Sequence, residues 1–260
     1  MSYNLLEVKD LNCRFEIERN LFSQNKYLHV LKNINFKLKH GSTLGIVGES
    51  GCGKSTLCRT ILSLNIKETG NIIWFNKDID EFSKKEFKNF RKKVQIIFQD
   101  PYASLNPLKN IMETIAEPIK YHRLIDDKNK IIDKVTELLN DVGLDESFLP
   151  RYPHELSGGQ RQRICIARAI CLHPKVIICH ECVSALDVSV QATILNLLNS
   201  LKKKYDFTYI FISHDLSVVK YMSDRIVVLF NGKVVEYEEA DKMFLNPKSN
   251  YTKKLIKASI

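Results

Sequence analysis

The stretch Gly48–Ser55, which reads GESGCGKS, fits the pattern G-x-x-x-x-G-K-[ST] without a mismatch. It follows the short apolar run STLGIV and precedes TLCRTILSL, whose apolar residues have helical spacing. In such a loop the backbone N–H groups surround phosphate oxygens, and the following helix directs its partial positive end at them. The stretch therefore predicts a P-loop between a strand and a helix, and the strand–loop–helix context disfavours a chance Gly-rich turn.

Two side chains of this loop have distinct expected roles. Lys54 is expected to reach the β- and γ-phosphates of a nucleoside triphosphate, and the Ser55 hydroxyl is expected to ligate Mg²⁺. We expect the whole run to line the nucleotide: Gly48, Glu49, Ser50, Gly51, Cys52, Gly53, Lys54, Ser55 and Thr56. The predicted cofactors are ATP and Mg²⁺.

Composition limits the class of protein. The chain has 260 residues, 44% of them hydrophobic, which suffices for one α/β domain or a core with a smaller inserted domain. No run approaches the roughly 20 apolar residues of a membrane-spanning helix, and the start MSYNLLEVKD lacks the basic and apolar regions of a secretory signal. We expect a cytosolic chain that meets membranes only through partners.

Neither the charge pattern nor the cysteines indicate a function in addition to that of the P-loop. The net charge is +9, and the densest basic groups, Lys84–Lys93 and Lys202–Lys204, are better explained as solvated helix faces than as membrane or nucleic-acid surfaces. The seven cysteines are an odd number without an export signal, which favours reduced thiols. Cys179 and Cys182 have C-x-x-C spacing, but small buried residues at a strand end explain them better than redox or metal chemistry.

Short apolar runs mark the predicted strands along the chain. LLEVKDLNCRFEI and VLKNINFKLK alternate as strands do, while NIIWFN, VQIIFQ, VIICHE and YIFISH suit strands of a parallel sheet buried on both faces. From Gln99 to about Pro153 the periodicity is helical. RIVVLF and KVVEYEE are joined by Asn231-Gly232, a strong hairpin signal, and the basic tail YTKKLIKAS is predicted helical.

A second anion-binding element is predicted at Leu156–Gln160, which reads LSGGQ. It precedes the helical pattern RQRICIARAI, and a Ser-Gly-Gly turn at a helix N-terminus can both cap the helix and bind an anion. Its position shortly before the run VIICHE distinguishes it from an ordinary turn.

With these motifs the chain resembles the ATP-binding cassette family over nearly its whole length. LSGGQ is similar to that family's signature motif, which closes over the ATP held by the P-loop of another subunit. The resemblance implies that the partner subunit's ATP meets Leu156, Ser157, Gly158, Gly159, Gln160 and Asp187. Asp187 ends Ser184–Asp187, which resembles the D-loop at the dimer interface; alone, it could simply cap a helix.

The resemblance also implies the remaining site residues. Gln99 resembles the glutamine that contacts Mg²⁺ and forms a hinge to the transmembrane partner. Glu181 resembles the glutamate that polarises the attacking water, and His214 the histidine that contacts the γ-phosphate. Tyr27 is preferred over Phe22 as the aromatic residue that stacks on adenine. Taken singly, each has an ordinary alternative role in capping, core packing or solvation, so the combination carries the assignment.

The implied fold is α/β: a P-loop NTPase (RecA-like) core with an N-terminal antiparallel β subdomain and an inserted α-helical subdomain. We expect a single nucleotide-binding domain over 1–260. Core and β subdomain occupy 1–98 and 156–240, the helical subdomain 99–155, and a C-terminal tail 241–260.

Three stretches, 98–107, 152–163 and 184–198, closely resemble the ATPases of peptide and nickel importers. This implies a second, non-identical ATPase subunit, two transmembrane permease subunits and, indirectly, an extracellular substrate-binding protein. It places the chain on the cytoplasmic face of the membrane, without a nucleic-acid partner. Cassette proteins of DNA repair or the ribosome are a third alternative, disfavoured by the single P-loop. Peptide and nickel both stay open as cargo.

One position departs from the family pattern. The strand before Glu181 normally ends in Asp-Glu, but here His180 replaces the aspartate, a carboxylate that holds Mg²⁺. Loss of such a metal partner typically costs roughly 10–100-fold in metal affinity or activity. We favour weakened hydrolysis. The alternatives are a tolerant site and a catalytically degenerate, regulatory ATP-binding half of a heterodimeric transporter. Cys182, where proline is usual, should have a mild effect.

Overall fold

The computed structural model describes residues 3–18 and 26–259, so the candidate Phe22 lies outside the described residues. The strands are β1 Asn4–Glu18, β2 Lys26–Lys39, β3 Thr43–Val47, β4 Thr69–Trp74, β5 Lys77–Asp78, β6 Val94–Ile97, β7 Val176–His180, β8 Thr208–Ile212, β9 Arg225–Phe230 and β10 Lys233–Glu239. The α-helices are α1 Lys54–Ile61, α2 Lys84–Lys93, α3 Ile111–Tyr121, α4 Lys128–Asp141, α5 Gly158–Ile170, α6 Val188–Tyr205, α7 Leu216–Met222, α8 Ala240–Leu245 and α9 Asn250–Ser259.

The chain divides into two compact units. The first contains residues up to 87 and those from 208 onward, and the second contains residues 88–207. Among the described residues, no helix combines the length and the apolar character needed to cross a membrane.

The N-terminal part of the first unit is an antiparallel sheet with the strand order β2-β1-β4-β5. Leu6 and Val8 of β1 are buried while Glu7 and Lys9, which alternate with them, are more exposed, as the period of two along a half-buried strand requires.

The run NIIWFN corrects one prediction. It does not form a parallel strand buried on both faces. β4 pairs antiparallel with β1, and only part of it is buried. The strand ends at Trp74, because Phe75 and Asn76 take positive φ values of 52° and 68° and form a tight turn into β5. The apolar run was misleading because its residues include a turn.

The rest of the first unit has the strand order β10-β9-β3-β8. β3 runs parallel to both β8 and β9, and every residue of β3 and β8 is buried, as predicted for central strands. The predicted hairpin between β9 and β10 is confirmed. Asn231 and Gly232 have φ values of 48° and 74°, which match the two left-handed positions of a type I′ turn.

In the second unit β6 and β7 pair in parallel. The stretch 99–155, all of which is described, contains α3, α4 and two short 3-10 helices at Glu146–Phe148 and Pro153–Glu155, without a strand. α3 begins with a capping box between Asn110 and Glu113, which satisfies N–H groups that the helix leaves unpaired.

All seven cysteines are free and buried. Cys179 and Cys182 are among them, so their prediction as small buried residues is confirmed. Burial raises the pKa of the Cys58 and Cys171 thiols to about 12, which keeps them neutral and unreactive near neutral pH.

Candidate nucleotide-binding site

The P-loop spans the gap between the carboxyl end of β3 and the start of α1, as predicted. Lys54, the first residue of α1, is buried, and its ammonium group donates to the carbonyl oxygens of Gly48 at 2.7 Å and Glu49 at 2.9 Å. The lysine therefore folds back over its own loop. This contact holds a positive charge at the start of the helix, where the helix dipole also favours an anion.

Two glycines of the loop are required by close contacts. A β-carbon at Gly48 would lie 2.2 Å from the carbonyl oxygen of Leu229, a backbone atom that cannot move aside. Gly53 caps α1 with a φ of 110°, which L side chains rarely adopt, and makes no side-chain cap hydrogen bond. Substitution at Gly53 would also crowd Val30 and Leu31 of β2.

The middle of the loop is tied to the β9–β10 hairpin. The N–H of Gly232 donates to the carbonyl oxygen of Cys52 at 3.1 Å, and the N–H of Cys52 donates to Glu49 at 3.3 Å. Burial raises the pKa of the Cys52 thiol, although the nearby Lys54 ammonium lowers it. The thiol is thus a neutral packing group in the loop.

His214 lies near the P-loop in the topology of the first unit. Ile212 at the end of β8 pairs with Ile46 of β3, and the N–H of Ser213 donates to Ile46 at 3.2 Å. Because parallel strands bring their carboxyl ends to the same edge, His214 follows β8 at the edge where the P-loop follows β3. Asp215 then caps α7 by accepting from the N–H of Ser217.

The second unit groups three predicted residues in the same way. Ile97 of β6 pairs with Cys179 of β7, so Gln99 follows one strand at the edge where His180 ends the other and Glu181 follows it. Gln99 is exposed. Glu181 has a φ of 49°, and its carbonyl oxygen accepts from the N–H and the hydroxyl of Ser184 at 3.2 and 2.8 Å. This turn fixes the backbone direction at Glu181.

The signature stretch forms the predicted helix start. Ser157 caps α5 in a capping box: the N–H of Gln160 donates to the Ser157 hydroxyl at 3.3 Å, and the Gln160 side chain accepts from the N–H of Ser157 at 2.9 Å. Leu156 is buried beside it. The stretch therefore forms a capped helix N-terminus, an element that can bind an anion.

The signature stretch also contacts the segment resembling a D-loop. A β-carbon at Gly158 would lie 3.6 Å from a methyl group of Leu186, which directly precedes Asp187. Asp187 is the N-cap residue of α6, but its side chain makes no cap hydrogen bond. The two motifs are therefore neighbours in the second unit.

The aromatic candidate Tyr27 lies near the start of β2 and is partly exposed. The guanidinium carbon of Arg14 lies 4.2 Å from its ring centroid, a cation–π contact from the paired strand. Its stacking on adenine stays a prediction.

The residues of the P-loop suit magnesium held together with phosphates. Ser55, an exposed residue and the second of α1, offers a hydroxyl oxygen, and oxygen is the ligand type that Mg²⁺ prefers. Among the described residues, no group of three or more His, Cys, Asp or Glu side chains could hold a metal by itself. This donor set fits an ion that arrives with a nucleotide and keeps several of its own waters.

With its P-loop, its capped signature helix and the strand-end residues of both units, the chain belongs to the ABC transporter family. The family profile described as ABC transporter matches residues 31–184, more than half of the chain.

Individual relatives and structures agree with this family. The chain is 48% identical to the oligopeptide transport ATP-binding protein OppF of Haemophilus influenzae, over 98% of this chain and 77% of that protein. It is 46% identical to AppF of Bacillus subtilis, also named an oligopeptide transport ATP-binding protein, over 97% of this chain and 77% of the relative. These relatives give no support to the alternative of a degenerate regulatory half.

The fold matches a solved cassette. The structure of the ATP-binding cassette MJ0796, a dimer in a post-hydrolysis state bound to ADP and Pi, superposes with a TM-score of 0.79 at 28% identity, covering 90% of this chain and 98% of that one. The predicted α/β P-loop NTPase fold is thereby confirmed.

Proposed function

We propose that this chain is an ATP-hydrolysing subunit that energises the import of oligopeptides across a membrane. The observation that carries the proposal is the 48% identity, over nearly the whole chain, to a protein named for oligopeptide transport and ATP binding. The buried Lys54, folded over the P-loop, supplies the charge that such a role needs. Among the two cargo classes considered, peptide is favoured over nickel because the relatives are named for oligopeptides.

The P-loop would bind the triphosphate by charge and by backbone amides. In this proposal Lys54 turns from the carbonyls of Gly48 and Glu49 to the phosphate oxygens, which offer a full negative charge instead of a partial one. Ser55 would hold Mg²⁺, which neutralises phosphate charge when bound. His214, at the same sheet edge, would contact the γ-phosphate.

The second unit would supply the remaining functions. We propose that Glu181 orients the attacking water and that Gln99 contributes to the metal contact and to the connection with the membrane subunits. The signature residues Leu156–Gln160 would close over the nucleotide of a second cassette, since the capped start of α5 offers amides to an anion. Two cassettes would thus enclose each ATP.

The proposed assembly has several other chains. It contains a second, non-identical ATPase subunit and two permease subunits at the cytoplasmic face of a membrane, and it receives peptides from an extracellular binding protein. His180 would weaken hydrolysis at this chain's own site, because an imidazole does not supply the negative charge of the expected aspartate.

The test uses the chain assembled with its partner ATPase and permeases in lipid vesicles. Lys54→Ala should abolish ATP turnover and peptide uptake, because the phosphates lose their buried cation. The matched control is Lys85→Ala, which removes an exposed lysine of α2 and should behave as the parent. Full turnover in Lys54→Ala would refute the ATPase assignment. Stimulation of turnover by nickel but by no peptide would refute the proposed cargo.

A further inference from the structure

The P-loop is supported from outside by the C-terminal part of the first unit. We call residues 229–251, from the end of β9 to the start of α9, the P-loop brace. The carbonyl oxygen of Leu229 packs against Gly48, and Gly232 donates its N–H to the carbonyl oxygen of Cys52. Both contacts join backbone to backbone, and the first requires glycine at position 48 because a β-carbon there would meet the Leu229 carbonyl oxygen.

A third contact is made by a side chain. The N–H of Glu49, the residue after Gly48, donates to the hydroxyl oxygen of Tyr251 at 3.1 Å. The ring of Tyr251 packs on Phe230, with centroids 4.2 Å apart and planes inclined by 31°. The hydroxyl therefore reaches the P-loop from a ring that packs on Phe230, another residue of the P-loop brace.

The backbone before Tyr251 is also fixed. Glu236 of β10 is buried, and its carboxylate accepts from the N–H of Lys248 at 2.9 Å and of Ser249 at 3.0 Å. The Ser249 hydroxyl then accepts from the N–H of Tyr251 at 3.2 Å. A buried carboxylate with two amide donors is a strong anchor, so α9 begins at a defined place.

We propose that Tyr251 is a positioning residue of the nucleotide site, which fixes the first turn of the P-loop so that its amides are already arranged for phosphate. The inference rests on the proposed function, since it assumes that this loop binds ATP. A loop ordered before binding loses less conformational entropy on binding, so removal of the hydroxyl should weaken ATP affinity. Tyr251 acts through Glu49 and need not touch the nucleotide.

The ionisation of the phenol agrees with this role. Burial raises the pKa of Tyr251, and the Glu49 backbone hydrogen bond only partly opposes that effect. The hydroxyl thus stays neutral near neutral pH and adds no negative charge beside the phosphates.

The experiment compares two matched tyrosines in the full chain. Tyr251→Phe keeps the ring on Phe230 and removes only the hydroxyl. Tyr237→Phe removes another hydroxyl of the P-loop brace, one that donates to the Lys37 carbonyl at 2.8 Å instead of to a residue of the P-loop. The readouts are the Kd for ATP, from displacement of a fluorescent ATP analogue, and the KM and kcat of the assembled transporter.

Tyr251→Phe should raise the Kd and the KM for ATP about three- to tenfold, the fold-change expected for one net hydrogen bond, with kcat within about twofold of the parent. Tyr237→Phe should change neither constant. If the parent binds ATP and Tyr251→Phe binds it equally well, or if both variants lose affinity alike, the inference is overturned and the proposed function stands. If the parent does not bind ATP, both fail.

Discussion

Gly159 of the signature stretch lies directly against Val190 of α6: a β-carbon at Gly159 would be 2.7 Å from a methyl carbon of Val190. At the preceding residue, Gly158, the nearest atom to an added β-carbon is a Leu186 methyl at an ordinary 3.6 Å. Of the two adjacent glycines, therefore, only Gly159 is required by packing against the helix that follows Asp187.

This contact predicts that Val190 decides whether a substitution at Gly159 raises or lowers the free energy of unfolding. Alanine is a better helix former than glycine by up to about 1 kcal/mol, whereas overpacking a stiff β-branched side chain costs about 1–3 kcal/mol. Gly159→Ala should therefore lower the free energy of unfolding in the parent and raise it in a Val190→Ala background. Urea unfolding of the four chains of this double-mutant cycle measures the coupling.

Gly158→Ala is the matched control for this cycle, since its new methyl group has room. It should be neutral or stabilising in both backgrounds. Strictly additive effects of Gly159→Ala and Val190→Ala would show that the two residues do not interact.

Restoring the family carboxylate at position 180 should increase turnover. His180→Asp supplies the negative charge expected beside Mg²⁺, and we expect a roughly tenfold gain in the ATP turnover of the assembled transporter. His180→Asn has nearly the same shape as the aspartate variant without its charge, and it should stay near the parent. A steady-state ATPase assay with equal amounts of partner subunits decides the point; equal rates in all three chains would mean that the site tolerates His180.

The single tryptophan links the antiparallel sheet to the helix that begins at the P-loop. Trp74 is fully buried, and its indole N–H donates to the carbonyl oxygen of Ile61, the last residue of α1, at 2.8 Å. Trp74→Phe removes volume and leaves that carbonyl unpaired, so it should lower the free energy of unfolding by about 2–4 kcal/mol. Urea unfolding followed by circular dichroism measures the loss.

An exposed position provides the comparison for Trp74. Leu64→Ala also shortens an apolar side chain of the first unit, but at a site that is 57% exposed, and it should cost less than about 0.5 kcal/mol. A loss of similar size in the two variants would argue against a special role for the buried indole.

The buried thiol of Cys58 predicts a loss of stability at alkaline pH. Burial raises its pKa from 9.0 to about 12 in the folded chain. Between these values the unfolded thiol has lost its proton and the folded one keeps it, so the unfolded state binds fewer protons and stability falls as the pH rises. Below pH 9 the contribution is fully present.

Cys58→Ala removes this titration and serves as the test. From pH 9 to 11 the free energy of unfolding of the parent should fall more steeply than that of Cys58→Ala, by up to about 1.4 kcal/mol per pH unit. Below pH 9 the two curves should be parallel. Parallel curves over the whole range would show that the thiol titrates normally in the folded chain.

Local motifs were predictable because their chemistry depends on neighbours in the chain. The P-loop, the Ser157 cap of α5 and the Asn231-Gly232 hairpin each follow from residues a few positions apart. The strand at NIIWFN was misassigned because its prediction used only the local apolar composition. Apolar composition does not separate a parallel strand from an antiparallel one, and it did not reveal the turn at Phe75 and Asn76.

The amino-acid sequence by itself determined the family, the strand–loop–helix around Gly48–Ser55 and the residue types offered to a nucleotide. Only the tertiary structure decided what holds those residues in place. Tyr251 meets Glu49 across 202 residues of chain, and Leu229, which is also far from the loop in the sequence, restricts Gly48. Such contacts arise when distant strands and helices pack, and neither the spacing nor the composition of the sequence shows which residues will meet.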